Sequence, residues 1–111
     1  MVFILLATLC FSLPLPAQTA DSAEPGAIWI DLRSPREYQR GHVEGAVNIP
    51  RGEIAHRISE LVTDLYAPVH LYDSSAGFAG LALEILMEMG FQYVVNEGSY
   101  DSIVARQKDS L

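Results

Sequence analysis

Residues 69–80, VHLYDSSAGFAG, place an apolar run, a polar loop and the start of a helical pattern in immediate succession. The residue at the turn is Asp73, and Ser74 and Ser75 follow it. A carboxylate here can accept backbone N–H groups and stabilise the start of a helix, or it can attack a phosphoryl group as a nucleophile. A serine could be a nucleophile only with a base beside it, and the loop contains none. We favour a structural role, in which Asp73 caps the helix.

Two other sets of residues could carry chemistry. Asp31 and Arg33 lie at the end of the apolar run of residues 27–32 and could form a catalytic pair, although such a pair more often ties the following loop and helix to the strand end. His42, His56 and His70 are spread over three predicted elements without the spacing of metal ligands. We therefore predict structural or surface roles for these residues and no metal site.

The elements that position these residues alternate between strands and helices. Apolar runs predict strands over residues 27–32, 45–50, 67–72 and 91–96, and Trp29, inside the first run, is predicted to lie in the core. Strands that alternate with helices indicate an α/β fold, a parallel sheet with helices on both faces. The carboxyl ends of such strands are where ligands bind, and Asp73 lies at one of these ends.

The helices are predicted from caps and apolar periodicity. Ser34 followed by Pro35 and Glu37 is typical of a capped helix start, and Ser99 can cap a last helix that runs to about residue 107. Two apolar stripes at helical spacing are predicted to face the core. The first, in residues 52–66, is Ile54, Ile58, Leu61 and Leu65; the second is Phe78, Leu81, Ala82, Ile85 and Met89.

The first 20 residues have the pattern of a secretory signal peptide. An apolar run over residues 2–13 is followed by prolines and small polar residues, and the run is shorter than the roughly 20 residues that span a bilayer. The alternative is a disordered or buried tail. We predict a periplasmic or secreted protein with no stable membrane anchor after cleavage. The cleavage site falls near residues 17–23, at Ala17, Ala20 or Ala23.

Composition limits the function classes. The chain has 111 residues, enough for one domain, and its formal net charge is −7 with scattered basic residues, so nucleic acid is not an expected partner. The only cysteine is Cys10, inside the predicted signal peptide. The processed chain is therefore predicted to contain no thiol and no cysteine-based metal site.

Two stretches resemble the rhodanese family of sulfurtransferases. The first stretch, residues 29–50, reads WIDLRSPREYQRGHVEGAVNIP and contains the motif residues Asp31, Arg33 and His42. The second, residues 81–100, reads LALEILMEMGFQYVVNEGSY and is similar to the segment that follows the family's active loop. The resemblance implies a rhodanese-like domain over residues 27–111, most similar to small exported rhodaneses of one domain.

In that family a cysteine ends the strand before the active loop and carries sulfur as a persulfide, while loop arginines attract an anionic donor such as thiosulfate. The resemblance matches these loop positions to Asp73, Ser74, Ser75, Ala76, Gly77 and Phe78. A carboxylate cannot form a persulfide, and the charge of Asp73 repels thiosulfate.

We therefore interpret the chain as a non-catalytic rhodanese homologue rather than an enzyme. It would be an exported binding or structural module without a cofactor, whose partner is an unidentified protein. The alternative is an enzyme of the sulfurtransferase family that handles thiosulfate or a persulfide, or one that processes phosphate or another anion, by a route without cysteine.

Overall fold

The structure is a computed structural model that describes residues 24–110. The predicted signal peptide and Cys10 lie outside the described residues. The elements in chain order are β1 Ile28–Asp31, α1 Pro35–Arg40, β2 Val47–Asn48, a 3-10 turn Arg51–Glu53, α2 Ile54–Leu61, β3 Val69–Asp73, α3 Ala76–Glu88, β4 Val94–Ser99 and α4 Tyr100–Asp109.

The four strands form one sheet in the order β2-β1-β3-β4, and every neighbouring pair is parallel. Successive strand side chains point to opposite faces. Leu71 accordingly joins a core cluster with residues of α2 and α3, whereas Tyr72 joins a second cluster with Ile103 of α4. Helices cover both faces, and the predicted α/β architecture is confirmed.

Helix α2 is shorter than the sequence pattern predicted. Ile54 and Ile58 are buried as expected, but the helix ends at Leu61 because Val62 adopts an extended backbone and buries its own side chain. Leu61 and Leu65 remain exposed. The prediction of a helical stripe continuing to Leu65 is wrong for this reason.

The predicted core face of α3 is also wrong, except at Ala82. The residues that α3 buries are Ala79, Ala82 and Leu86. Small alanine side chains let the helix approach the sheet closely, so they face inward and the larger residues turn outward. Phe78, Leu81, Ile85 and Met89 are exposed.

The helix starts predicted from serine caps are confirmed. The Ser34 side chain accepts from the backbone N–H of Glu37, whose carboxylate reaches back to Ser34, and Pro35 is the first helical residue. Ser99 caps α4 by accepting from the Ser102 N–H at 3.1 Å. Gly41 follows α1 at a close approach, since a Cβ there would lie 2.9 Å from the Tyr100 hydroxyl.

Trp29 is only partly buried, contrary to its predicted place in the core. Its ring packs against the second cluster and stacks on His70 with centroids 4.7 Å apart.

No helix within residues 24–110 is long and apolar enough to cross a membrane.

Candidate functional site

The carboxyl ends of the strands bring polar side chains from distant parts of the chain to one edge of the sheet. Asp31 at the end of β1 is in register with Asn48 of β2, and Asp73 at the end of β3 pairs with Ser99 of β4. Ligands of open parallel sheets bind at this edge. We therefore treat it as the candidate functional site.

Asp31 and Arg33 form a buried clamp. The Arg33 Nη2 atom donates to Asp31 Oδ2 at 2.8 Å and to the Gly41 carbonyl at 2.6 Å, and the Arg33 backbone N–H donates to Asp31 Oδ1 at 2.8 Å. Asn48 donates to the carbonyls of Asp31 and Arg33 at 3.0 and 2.9 Å. This network ties β1, β2 and the end of α1 together, which is the structural role that we favoured for the pair.

The Arg33 guanidinium also lies over the Tyr100 ring, with its Cζ atom 4.0 Å from the ring centroid. Burial opposes its charge, but the hydrogen bond to Asp31 and the charge of that carboxylate outweigh burial and raise the pKa of Arg33 above its ordinary value. Arg33 therefore stays charged and paired with Asp31, and its role at the site is structural.

Tyr72 is fully buried below this edge, and its hydroxyl accepts from the Val43 N–H at 3.0 Å. Burial is the main cause that raises the pKa of the Tyr72 phenol well above its ordinary value. The hydroxyl is therefore neutral across the physiological range and serves as a hydrogen-bonding group.

Asp73 is fully buried, and its two carboxylate oxygens have different surroundings. Oδ1 accepts from the Ser74 backbone N–H at 2.6 Å and from the Ser74 hydroxyl at 3.3 Å. Oδ2 has no hydrogen-bond partner among the described residues and lies 3.3 Å from Arg51 Nε. Its compensation is an ion pair whose geometry falls outside that of a hydrogen bond.

Ser75, and not Asp73, caps α3. The Ser75 side chain accepts from the Phe78 N–H at 3.3 Å and the residue has the extended backbone typical of an N-cap. Asp73 lies two residues before the N-cap, and within residues 24–110 the one backbone N–H that its carboxylate accepts is that of Ser74, which precedes the helix. The prediction that Asp73 caps the helix is wrong for this geometric reason.

Arg51 is the site residue that the sequence reasoning missed. It follows β2, where its backbone N–H donates to the Leu32 carbonyl at 2.9 Å. Its guanidinium reaches Asp73 and covers the Phe78 ring, with Cζ 3.7 Å from the ring centroid. The loop from Ser74 onwards contains no arginine, but the neighbouring parallel strands bring one to it. The available signal was the position of Arg51 just after a predicted strand, at the edge where Asp73 also lies.

The remaining loop residues line the surface beside this pair. Ser74 lines a small cavity of about 80 Å³ together with Arg33, Glu37, Tyr100 and Asp101. Ala76 and Gly77 are exposed in the first turn of α3.

The three histidines are not brought together. The ring of His42 stacks on Tyr38 with centroids 3.7 Å apart, and His56 is exposed on α2. His70 lies between two carboxylates, with Nδ1 2.8 Å from Glu97 and Nε2 2.6 Å from Glu24. Within residues 24–110 no three histidine, cysteine or acidic residues are grouped as metal ligands would be.

A parallel α/β domain with a loop and helix start at the end of β3 is the architecture of rhodaneses. The family model for the rhodanese-like domain matches residues 16–106. The chain therefore belongs to the rhodanese-like domain family.

Named relatives define the likeness further. Thiosulfate sulfurtransferase PspE of Escherichia coli K12 is 42% identical over 100 residues, which covers 90% of this chain and 88% of PspE. The uncharacterized protein YqhL of Bacillus subtilis 168 is 37% identical over 67 residues, covering 60% of this chain and about half, 52%, of YqhL. A solved structure described as a rhodanese with anions from E. coli has a TM-score of 0.65 and 43% identity, covering 68% of this chain and 88% of that one.

These relatives correct the functional interpretation. The strong similarity to a thiosulfate sulfurtransferase over most of both chains contradicts the interpretation as a non-catalytic module and favours the alternative, a sulfurtransferase-family role. The match of Asp73 to the family's cysteine position stays a prediction.

Proposed function

We propose that the protein has a sulfurtransferase-family role and that it binds a sulfur-donating anion such as thiosulfate beside Arg51. The observation that carries the proposal is the Arg51 guanidinium, 44% exposed, which lies at the carboxyl edge of the sheet next to the start of α3. The similarity to PspE supports the substrate class.

Two charged residues at this edge have opposite effects on the binding of an anion. Asp73 repels an anion about 4 Å away by on the order of 1–4 kcal/mol between bulk water and a surface-like dielectric. Hydrogen bonds from a guanidinium to an anion contribute about 1.5–3 kcal/mol each, and the N-terminal end of α3 adds a smaller attraction. Arg51 therefore decides the balance, because Asp73 holds it at Nε and the guanidinium has further donors.

The transfer step follows from the absence of cysteine in residues 24–110. Sulfur cannot be stored as a persulfide on this part of the chain, so we propose direct transfer between two bound molecules. An acceptor thiolate attacks the outer sulfur of thiosulfate, the sulfur–sulfur bond of thiosulfate breaks, and sulfite leaves with the bonding pair. The products are a persulfide of the acceptor and sulfite.

The cellular location belongs to the same proposal. The signal-like segment of residues 1–20 supports export, and the processed protein would act in the periplasm or outside the cell. The acceptor thiol would then be met in that compartment.

The test is a sulfur-transfer assay with thiosulfate and either cyanide or a small thiol. We expect turnover that scales with protein, and we expect Arg51→Gln to lower kcat/KM for thiosulfate about tenfold, the equivalent of one lost charge-assisted hydrogen bond. Arg57→Gln is the matched control, because the Arg57 side chain on α2 is equally exposed and its one ion pair within residues 24–110 is with Glu53, in the 3-10 turn before α2.

The full chain is assayed first, and a rate equal to the buffer blank would contradict the sulfurtransferase role. The contribution of Cys10, which lies outside residues 24–110, is tested with a second variant. Turnover that disappears in Cys10→Ser would preserve that role and contradict direct transfer.

A further inference from the structure

The outer side of α3 carries a row of exposed apolar side chains that we call the α3 stripe. The row consists of three residues of α3 and the residue that caps its end, at spacings of three, four and four: Phe78, Leu81, Ile85 and Met89, with exposed fractions of 41%, 59%, 37% and 37%. This spacing places them along one side of the helix. Single apolar residues are normal on a protein surface, whereas a contiguous exposed apolar surface is a candidate interaction site.

The α3 stripe begins at the functional site. Phe78 is its first member, and the same ring lies under the Arg51 guanidinium that pairs with Asp73. Any molecule that covers the stripe is therefore directed along α3 to the place where we propose that thiosulfate binds.

The charged residues around the stripe favour a partner of one sign of charge. Glu84 and Glu88 are exposed on the same helix, and α3 contains no basic residue. The whole chain has a formal net charge of −7. A partner with basic residues around an apolar centre would be attracted, whereas an acidic one would be repelled.

We propose that the α3 stripe docks a partner protein that presents a cysteine thiol on an apolar, positively charged surface. The proposal rests on the sulfurtransferase role, because direct transfer requires an acceptor thiol that residues 24–110 do not contain. A docked partner would bring its thiol beside the bound anion.

Two other occupants fit less well. A second copy would place the Glu84 and Glu88 side chains of two acidic chains along one interface. The N-terminal segment joins the described chain at Glu24, which contacts His70. His70 alternates along β3 with Leu71, whose side chain packs with α3, so the segment joins on the opposite face of the sheet.

The experiment uses a designed probe because the partner is unidentified. The probe is a synthetic amphipathic helical peptide with a leucine face, flanking lysines and one cysteine, and its matched controls replace the lysines by glutamates or the cysteine by serine. We expect the basic cysteine peptide to accept sulfur with a kcat/KM at least tenfold above that of the acidic peptide or a small thiol. The serine peptide should bind without accepting sulfur.

Variants locate the docking. The double substitution Leu81→Gln with Ile85→Gln should reduce the peptide's rate to that of a small thiol and leave the small-thiol rate unchanged. Tyr93→Gln removes a similarly exposed large side chain that is not on α3 and lies beside Tyr66, and it should change neither rate. Circular dichroism verifies that each variant is folded.

The outcomes separate the two proposals. If no small acceptor is turned over, the sulfurtransferase role fails. If small thiols react but the basic and acidic peptides are equivalent, or the double variant has no effect, the docking proposal fails. A dimer in sedimentation equilibrium that the double variant dissociates would assign the stripe to a second copy, and stronger peptide binding after removal of residues 1–23 would assign it to that segment; either result overturns the proposal.

Discussion

At the scale of single residues, the functional edge depends on how two buried carboxylates are compensated. Arg33 donates to Asp31 Oδ1 through Nε and to Asp31 Oδ2 through Nη2, and both residues are buried, so this pair is largely shielded from water. Asp73 faces the half-exposed Arg51 at a longer distance, without a hydrogen bond to Oδ2. Because solvent screens an exposed partner, the second pair is the weaker one and the one that can rearrange around an anion.

The buried phenol of Tyr72 makes the stability of the protein depend on pH. Burial raises the pKa of its phenol in the folded protein, so its stabilisation is complete below the unfolded pKa of about 10 and is lost as the pH rises towards the folded pKa. The free energy of unfolding is measured by urea titration at about pH 8 and about pH 11 for both proteins. We expect it to decrease by about 1 kcal/mol less in Tyr72→Phe than in the wild type, because the variant has no phenol to ionise. Tyr66→Phe, at an exposed position, should follow the wild type. Parallel curves for Tyr72→Phe and wild type would contradict this account.

At the scale of elements, helix α3 links the loop at Asp73 to the core through its cap and its inward face. Ser75 satisfies one of the first N–H groups of the helix, and Ala79, Ala82 and Leu86 bury its inner side against the sheet. The position of the loop therefore depends on how the helix starts and on which residues it turns inward.

The cap is tested by comparing two neighbouring serines. We expect Ser75→Ala to lower the free energy of unfolding by about 1 kcal/mol, because it removes the acceptor for the Phe78 N–H. Ser74→Ala should change it by no more than about 0.5 kcal/mol, since Ser74 is exposed and its backbone N–H still donates to Asp73 Oδ1 when the hydroxyl is removed. Urea titration of both variants is the measurement, and equal losses would argue against Ser75 as the cap.

The rotational setting of α3 has its own test. Ala82→Leu should destabilise the protein by about 1–3 kcal/mol, because the added carbons have no space between helix and sheet. Leu81→Gln should change stability by no more than about 0.5 kcal/mol, since that side chain is exposed. Thermal or urea unfolding distinguishes the two, and the reverse ranking would place the stripe of larger residues in the core.

At the scale of the whole molecule, the two faces of the sheet are covered by different helices. One face is covered by α2 and α3 around the larger core cluster, and the other by α4 around the smaller one. The carboxyl edge holds the proposed anion site, and the exposed apolar row on the outer side of α3 begins next to it. A substrate at the edge and a partner on α3 could therefore be bound at the same time.

The proposed export of the protein is also tested on the whole chain. Mass spectrometry of the protein from its native host should find an N-terminus between residues 17 and 24, because the apolar run and its following prolines are typical of a cleaved signal peptide. A protein recovered outside the cytoplasm without residues 1–16 satisfies this expectation. Recovery of the intact N-terminus, with Cys10 retained, would show that no cleavage takes place.

The sequence alone determined the features that depend on near neighbours. The caps at Ser34 and Ser99 lie within a few residues of the N–H groups they satisfy, and the alternation of strands and helices follows from local apolar patterns. These patterns, with the rhodanese motifs around Asp31 and Arg33, were sufficient for the fold class and the family.

Only the tertiary structure decided the features that depend on distant contacts. Arg51 reaches Asp73 because β2 and β3 lie on either side of β1 in one sheet, which no local pattern encodes. The inward side of α3 was decided by how closely the helix approaches the sheet, since both of its sides contain apolar residues and their periodicity does not distinguish them. Periodicity reports which residues share a side of a helix, whereas the packing partner determines which of those sides is buried.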